Sequence, residues 1–322
     1  MAGTVIESGK MAWTRREWLA HRAAHEARVG PWVEEHLARR HRGRKHPVHD
    51  FLFDYYPFPP AKLRSWMPPL GAILKVEPGD EAMWPESQSR HLLVERDQVK
   101  LGTHGVSKSV ARQAQWVAVL CRTMGERPAR FGCHGLHEWA MVYRQTPDQV
   151  RHNRHPLRMP PEELAAFVES RPICCTHFDA FRFFTQEARP LNAVQPELMS
   201  RLELEQGGCL HANMDLYKWA FKLWPWSGSD LVGRAFELAM EGREIDMRAS
   251  PYDLAALGYE PIRIETAEGR EEYEQLQRGV AARGALLRKE IGGAAEQLLN
   301  SVEPELLEIS PQDLGVRLGQ SS

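Results

Sequence analysis

Two segments of the sequence share a short pattern, in which two histidines three positions apart are followed directly by an acidic residue. They read "HPVHD" and "CHGLHE". The residues of the pattern are His46, His49 and Asp50 in the first segment and His134, His137 and Glu138 in the second. Positions i, i+3 and i+4 lie on one face of a helix. Each segment is therefore predicted to present imidazole and carboxylate groups on one side of a helix.

Two further segments bring a histidine close to an acidic residue. "CTHFDAFRFF" contains His177 and Asp179, and "GCLHANMDLYKW" contains His211 and Asp215, which are four positions apart. All four segments adjoin aromatic or apolar stretches, which predicts that their imidazoles are buried. Because a buried imidazole needs a hydrogen-bonding partner, we expect the four segments to converge on one polar site.

Imidazole and carboxylate groups together suit a zinc or non-haem iron ion, and helical di-iron proteins present such ligands from facing positions. The sequence therefore predicts a divalent metal ion, either iron or zinc. The predicted metal ligands are His46, His49, Asp50, His134, His137, Glu138, His177 and His211. Alternatively, a carboxylate orients one imidazole nitrogen so that the other acts as a general base. The predicted catalytic residues are Glu138, Asp215, His134 and Asp179.

A structural interpretation of the histidines stays open beside these two. The chain contains 14 histidines, so some of them lie near an acidic residue by chance. A histidine on a helix often does no more than hydrogen-bond to a carbonyl group or to a neighbouring acid. Under this interpretation the chain is a binding protein without catalytic activity.

Two arginines are candidates for holding an anionic group of a cofactor. Arg182 lies among three phenylalanines, and Arg248 lies in the dense segment "DMRASPYDL". The alternative is internal pairing, of Arg182 with Asp179 or Asp215 and of Arg248 with Asp246. An arginine in apolar surroundings either pairs inside the core or binds an anion.

The five cysteines are an odd number and include no CxxC pair, which favours reduced thiols over a disulfide framework or a zinc ribbon. Cys133, Cys175 and Cys209 each precede one of the predicted site histidines by one or two positions. Each is therefore a candidate ligand or nucleophile, or else a small apolar residue of the core.

Composition excludes some classes of function. The chain has 322 residues, is 43% hydrophobic and has a net charge of −2, so charge as a whole does not drive it toward nucleic acid or anionic lipid. The basic segment "RRHRGRK" at 39–45 could still contact the phosphates of a nucleic acid. Neither a run of about 18 apolar residues nor the apolar region of a signal peptide is present. We therefore expect a cytoplasmic protein without a membrane partner.

The pattern of apolar residues predicts a mainly α fold with a minor β hairpin or sheet. It consists of a disordered lead (1–12), a single α-rich catalytic domain (13–300) and a C-terminal tail (301–322). A first helix over 13–44 is expected to begin at Thr14, with Glu17 completing a capping box, and to break or kink at Gly30-Pro31.

Further helices are predicted over 107–124, 135–145, 161–170, 210–223, 229–246 and 268–299. A hairpin is predicted across 71–102, and "EPIRIE" at 260–265 has the alternation of a strand.

Five longer segments carry a resemblance to a known family. They are "GRKHPVHDFLFDYYPFPPAKLRSW", "CHGLHEWAMVYR", "CTHFDAFRFFT", "LHANMDLYKWAFKL" and "ELAMEGREIDMRASPYDL". With these segments, and over about residues 13 to 295, the chain resembles a little-characterised, mainly actinobacterial family often labelled 3-methyladenine DNA glycosylase. The resemblance implies a nucleobase substrate and hydrolysis of an N-glycosidic bond. The stretch "LGTHGVSKSV" lacks the glycine spacing and the following aspartate of helix–hairpin–helix glycosylases, so no catalytic residue is carried over from those enzymes.

The leading hypothesis is an enzyme with a buried histidine–carboxylate site that depends on a divalent metal and acts on a small molecule or a nucleobase. Iron would suit the activation of dioxygen, and zinc would suit hydrolysis. The alternative is a DNA glycosylase of base-excision repair, in which an aspartate or glutamate activates water and no metal is needed.

Overall fold

A computed structural model of the chain describes residues 11–146, 148–150 and 155–307. Most of the predicted lead and most of the predicted tail lie outside these residues. The chain divides into two compact units, each described by itself below. Unit 1 comprises Met1–Cys121, Tyr217–Glu237 and Leu287–Ser322, and unit 2 comprises Arg122–Leu216 and Leu238–Leu286.

Helices dominate the described residues and one four-stranded sheet accompanies them, which confirms the mainly α fold class. The α-helices are α1 (Arg15–His41), α2 (Phe51–Tyr55), α3 (Pro60–Arg64), α4 (Glu86–Ser89), α5 (Lys108–Glu126), α6 (Leu136–Ala140), α7 (Pro161–Glu169), α8 (Phe178–Phe181), α9 (Arg201–Leu204), α10 (Leu210–Lys222), α11 (Ser229–Ala249) and α12 (Ala267–Leu299). Short 3₁₀ turns lie at Asp80–Met83, Arg189–Leu191, Leu198–Ser200, Ala255–Leu257 and Pro304–Leu306. Within the described part of the chain, no helix is long and apolar enough to cross a membrane.

Helix α1 begins where the sequence predicts. The Thr14 hydroxyl accepts a hydrogen bond from the backbone of Glu17, and the Glu17 carboxylate accepts one from the backbone of Thr14, so the capping box is confirmed. The predicted break at Gly30-Pro31 is wrong, because α1 continues through Pro31 to His41. Burial of one face of this helix, including Trp18 and Val33, outweighs the hydrogen bond that the proline removes.

The small sheet belongs to unit 1 and has the order β1 (Met11–Trp13), β2 (Ala72–Lys75), β4 (Gln98–Leu101), β3 (Leu92–Glu95). Strands are present in the segment 71–102 as predicted, but the tight hairpin joins β3 to β4 across Arg96 and Asp97. Strand β2 is antiparallel to β4, and β1 is parallel to β2. Residues 11 and 12 therefore belong to the sheet and not to a disordered lead.

A tryptophan cluster fills the core of unit 1 beside this sheet. Trp18 packs its ring against Trp66 and Trp84, with ring centroids 6.1 and 5.3 Å away. Its indole nitrogen donates a hydrogen bond of 2.8 Å to the carbonyl of Lys75, at the end of β2. The packing of these rings fixes α1 against the sheet, and the buried indole N–H of Trp18 has a hydrogen-bond acceptor.

Unit 2 combines short helices with irregular segments. Trp139 on α6 is fully buried, donates its indole N–H to the carbonyl of Ala249 at 2.9 Å, and lies beneath the Arg158 guanidinium. The strand predicted at 260–265 is wrong, because these residues form no ladder. Ile262 and Ile264 are both buried, but they lie in an irregular turn. The alternation of apolar residues at 260–265 therefore reflects burial and not a strand of a sheet.

Candidate functional site

The segment "CHGLHE" folds as a turn followed by a short helix, not as a continuous helix. His134 has φ 45° and Gly135 has φ 77°, so two successive residues are left-handed and α6 begins only at Leu136. The predicted common face of His134, His137 and Glu138 is therefore wrong. Instead, the His134 side chain lies 3.6 Å from a carboxylate oxygen of Glu274, while His137 and Glu138 are buried on α6.

His137 is held on both sides of its ring. Its Nε2 donates a hydrogen bond of 2.7 Å to Oδ1 of Asp246 on α11, and its Nδ1 lies 3.4 Å from the sulfur of Cys133. Cys133 precedes the left-handed turn, whereas His137 lies one turn into α6. The left-handed turn at His134 and Gly135 thus lies between the two residues whose thiol and imidazole are in contact.

The Asp246 carboxylate is shared between an imidazole and a guanidinium. Its Oδ2 accepts a hydrogen bond of 2.9 Å from Arg243, one turn earlier on α11, and the same guanidinium nitrogen donates to Glu138 at 3.1 Å. The alternative pairing of Asp246 with Arg248 is wrong. Arg248 instead donates to the carbonyl of Glu260 at 2.9 Å, because it lies at the end of α11, where the chain turns toward 260.

Electrostatics favour a charged His137. Burial lowers its pKa, but the Asp246 carboxylate and the Cys133 thiol raise it by more, and the net result lies well above the usual value. Burial would raise the pKa of Asp246, yet the positive charges of the adjacent His137 and Arg243 lower it strongly. His137 and Asp246 therefore form an ion pair at neutral pH.

Glu138 and His211 differ from these two in their protonation. Burial and the nearby Asp246 carboxylate raise the pKa of Glu138 to about 7, so it exchanges a proton near neutral pH. Burial lowers the pKa of His211 to about 3, which keeps this imidazole neutral. The ring of His211 lies edge-on to that of His137, with centroids 4.6 Å apart, and its Nε2 is 3.8 Å from Asp246.

A second group of imidazole and carboxylates surrounds His177. Its Nε2 lies 3.3 Å from Oδ2 of Asp215 and 3.7 Å from Oε1 of Glu205, and all three side chains are buried. Arg201 makes a short hydrogen bond to Asp179 and lies 3.9 Å from Asp215. The Nδ1 of His177 is buried and has no hydrogen-bond partner among the described residues.

Two sets of side chains therefore have the composition and spacing of a metal site. One is His137, Glu138, His211 and Asp246, and the other is His177, Asp179 and Asp215. Within each set the potential ligand atoms all lie within 4.8 Å of one another. These side chains could hold a metal ion, as the sequence predicts in general terms.

A cavity of about 310 Å³ lies against both groups in unit 2. His137, His177 and His211 line it, so three of the predicted site histidines do converge. Four of the five cysteines line it as well, namely Cys133, Cys174, Cys175 and Cys209. The remaining wall is mainly apolar and includes Leu210, Val194 and Tyr273, and Arg130 lines the cavity as well. Its volume corresponds to the smallest class of ligand pockets.

The segment "HPVHD" belongs to unit 1, so the structure does not group it with these residues. The Asp50 carboxylate accepts hydrogen bonds from His36 at 2.9 Å, from Arg39, and from the backbone of His46 at 2.8 Å. Nδ1 of His46 in turn accepts one from the backbone of His49 at 3.0 Å. These contacts lock a turn after α1 and give the segment a structural role.

Arg182 does not lie paired inside the core. Its side chain is 46% exposed, lies 3.6 Å from Asp179 and covers the ring of Phe183. The predicted pairing with Asp179 is thus present, but it is at the surface, because Arg182 is the exposed residue that directly follows the one-turn helix α8. The buried arginines of the site are Arg201 and Arg243, neither of which is among the residues predicted from the sequence. A basic residue within the otherwise apolar face of α11 was the available signal for Arg243.

Comparison of the chain with protein-family models, with curated proteins and with solved structures found no match in any of the three.

Proposed function

We propose that the chain is a metal-dependent enzyme that acts on a small molecule in the cavity of unit 2, with the ion held by His177, Asp179 and Asp215. The observation that carries the proposal is the spacing of these donors, all within 4.8 Å, where His177 lines the cavity. One imidazole and two carboxylates form a donor set that suits zinc or iron. When bound, such an ion would polarise an oxygen atom of the substrate.

The hydrogen bonds favour this group over the one around His137. In that group both ring nitrogens of His137 and both oxygens of Asp246 already have partners, including the permanent cation of Arg243. An ion would have to displace them. The group around His177 also contains an arginine, since Arg201 donates to Asp179. It differs in that the buried Nδ1 of His177 lacks a hydrogen-bond partner among the described residues. A buried imidazole that its surroundings do not satisfy is expected at a site completed by a ligand.

The metal content of the purified chain tests the proposal. We expect about one zinc or iron ion per chain by elemental analysis. Asp215→Asn and His177→Gln should each weaken binding of the added ion about 10- to 100-fold, because each removes a charge or a donor atom. His137→Gln and Asp50→Asn are the controls, since both alter buried polar groups without touching the proposed ligands, and both should retain the metal.

Two results would contradict the proposal. One is a chain without stoichiometric metal that folds fully in the presence of a chelator. The other is loss of the ion in His137→Gln with retention in Asp215→Asn, which would move the site to the other group. Release of free base from alkylated DNA by metal-free protein would instead support the glycosylase hypothesis, which stays a prediction.

A further inference from the structure

We propose that Cys133 is a nucleophile of the cavity, with His137 as its proton acceptor and Asp246 as the residue that positions the imidazole, and that the group takes small acyl compounds as substrates. This inference is independent of the proposed metal ion, whose ligands are other residues. It assigns a second kind of chemistry to the same cavity.

The three side chains form an unbroken chain of contacts. The sulfur of Cys133 lies 3.4 Å from Nδ1 of His137, and Nε2 of the same ring lies 2.7 Å from Oδ1 of Asp246. Nucleophilic catalysis by a thiol needs a base within hydrogen-bonding reach and a third group that orients this base. The arrangement supplies both. The charge on Asp246 also stabilises the imidazolium that forms when the ring accepts the thiol proton.

The position of the thiol suits a reaction with a bound molecule. Cys133 is half-buried and lines the cavity of about 310 Å³, together with the ring of His137. The residue after it, His134, has φ 45°, a left-handed conformation that costs free energy for a side chain of this type. Backbone strain of this kind is concentrated at functional sites, where it fixes the direction of a reactive side chain.

The other thiols of the cavity lack this environment. The Cys174 sulfur hydrogen-bonds to the carbonyls of Gly132 and Pro172, at 3.8 and 3.6 Å, and the Cys175 sulfur to the carbonyl of His177 at 3.7 Å. Burial raises the pKa of both thiols. Among the cysteines, all of which lie in the described part of the chain, only Cys133 has a sulfur–imidazole contact. Cys174, which is also half-buried in the same wall, is therefore a built-in control.

The chemical step balances without a further reactant other than water. The pair reacts as thiolate and imidazolium: the proton given up by the Cys133 thiol is held on Nδ1 of His137, and the sulfur attacks the carbonyl carbon of a small ester, thioester or amide. The bond from this carbon to the leaving group breaks, and the imidazolium returns its proton to the leaving group. Water then cleaves the thioester on Cys133, which releases a carboxylic acid and restores the thiol.

Alkylation kinetics test the inference without a known substrate. The full chain is treated with iodoacetamide at neutral pH in the presence of a chelator, and peptide mass spectrometry follows each cysteine separately. We expect Cys133 to react at least about tenfold faster than Cys174, because the thiolate is the reacting form. His137→Gln should reduce this advantage at least about tenfold and leave the rate of Cys174 unchanged.

Two further measurements separate chemistry from folding. In the unmodified chain, the alkylation rate of Cys133 should rise at lower pH than that of Cys174, and Asp246→Asn should shift the Cys133 profile alone. With p-nitrophenyl acetate as the acyl probe, one acetyl group per chain should appear on Cys133, and Cys133→Ser should abolish the burst of nitrophenolate. The chelator keeps these results separate from the outcome of the metal analysis.

Equal rates and equal pH profiles for Cys133 and Cys174 in the unmodified chain would overturn the inference. So would a folded His137→Gln variant that alkylates Cys133 at the original rate, or acetylation of Cys174 in preference to Cys133.

Discussion

Asp246 accepts a hydrogen bond of 2.7 Å from Nε2 of His137, a residue 109 positions earlier in the chain, and both side chains are almost completely buried. The carboxylate joins α11 to α6 and at the same time binds Arg243. Buried ion pairs add little stability relative to an apolar core, but removing one member leaves charge without compensation. The pair thus makes the geometry at Cys133 dependent on a distant part of the sequence.

Asp246→Ala is expected to lower the free energy of unfolding by about 3–5 kcal/mol, because it removes the carboxylate that His137 and Arg243 share inside the protein. Urea denaturation followed by circular dichroism measures this change. The matched control is Glu272→Ala, which removes the exposed acidic partner of Arg248 and should cost at most about 1 kcal/mol. Similar losses in the two variants would contradict the assigned role of Asp246.

The parts of the fold that depend on neighbours in sequence could be predicted. The capping box of Thr14 and Glu17 is such a case, because both partners lie within one turn. Helices α7, α10 and α12 also lie within about two residues of their predicted bounds. Local pattern failed at His134 and Gly135, where two left-handed residues interrupt the helix that the spacing predicted.

The site itself could be predicted only in part. The convergence of His137, His177 and His211 on one cavity agrees with the expectation from their apolar surroundings. The pairing of Asp246 with His137 could not be read from one sequence, because it is set by how α6 and α11 pack. The sequence shows only that Arg243 and Asp246 lie one helical turn apart in the apolar part of α11, which indicates a buried charged pair but not its partner on α6.

The cap at the start of α1 gives a second prediction. Thr14→Ala should lower the free energy of unfolding by about 1 kcal/mol, because the backbone N–H of Glu17 loses its acceptor. Thr14→Ser is the control, since it keeps the hydroxyl and should preserve most of the stability. A thermal or urea melt compares the three proteins. Equal stability of Thr14→Ala and the unmodified chain would show that other contacts of α1 make the cap dispensable.

The buried His25 gives a pH dependence. Burial lowers its pKa below the usual 6.5, and the hydrogen bond from Nε2 to the carbonyl of Leu63, at 2.8 Å, only partly opposes this. As the pH falls through about 6.5, His25 therefore becomes protonated in the unfolded chain while it stays neutral in the folded chain. The neutral ring contributes stability that is fully present above this pH and is lost as the pH falls toward the lowered folded-state pKa.

His25→Gln keeps a donor for the Leu63 carbonyl and removes the titration. The difference in unfolding free energy between the unmodified chain and this variant should shrink by roughly 1 kcal/mol from pH 7.5 to 5.5, since one unshared proton is worth about 1.4 kcal/mol per pH unit. Urea denaturation across this range measures the difference. A difference that stays constant with pH would mean that His25 titrates alike in both states.

Gly135 gives the last prediction, which links backbone conformation to the thiol. Its φ is 77°, and an added Cβ would lie 3.2 Å from Cβ of Ala249 and 3.3 Å from Cε2 of Tyr273. Gly135→Ala should therefore cost about 1–2 kcal/mol of unfolding free energy for the left-handed conformation, and crowding adds to this. Because the turn carries the chain from Cys133 to His137, alkylation of Cys133 by iodoacetamide should slow as well.

Gly132→Ala is the control in the same loop, since nothing lies within 4 Å of its added Cβ, and it should change stability by no more than about 0.5 kcal/mol. A Gly135→Ala variant that matches this control in both stability and alkylation rate would show that the turn does not set the contact between the thiol and the imidazole.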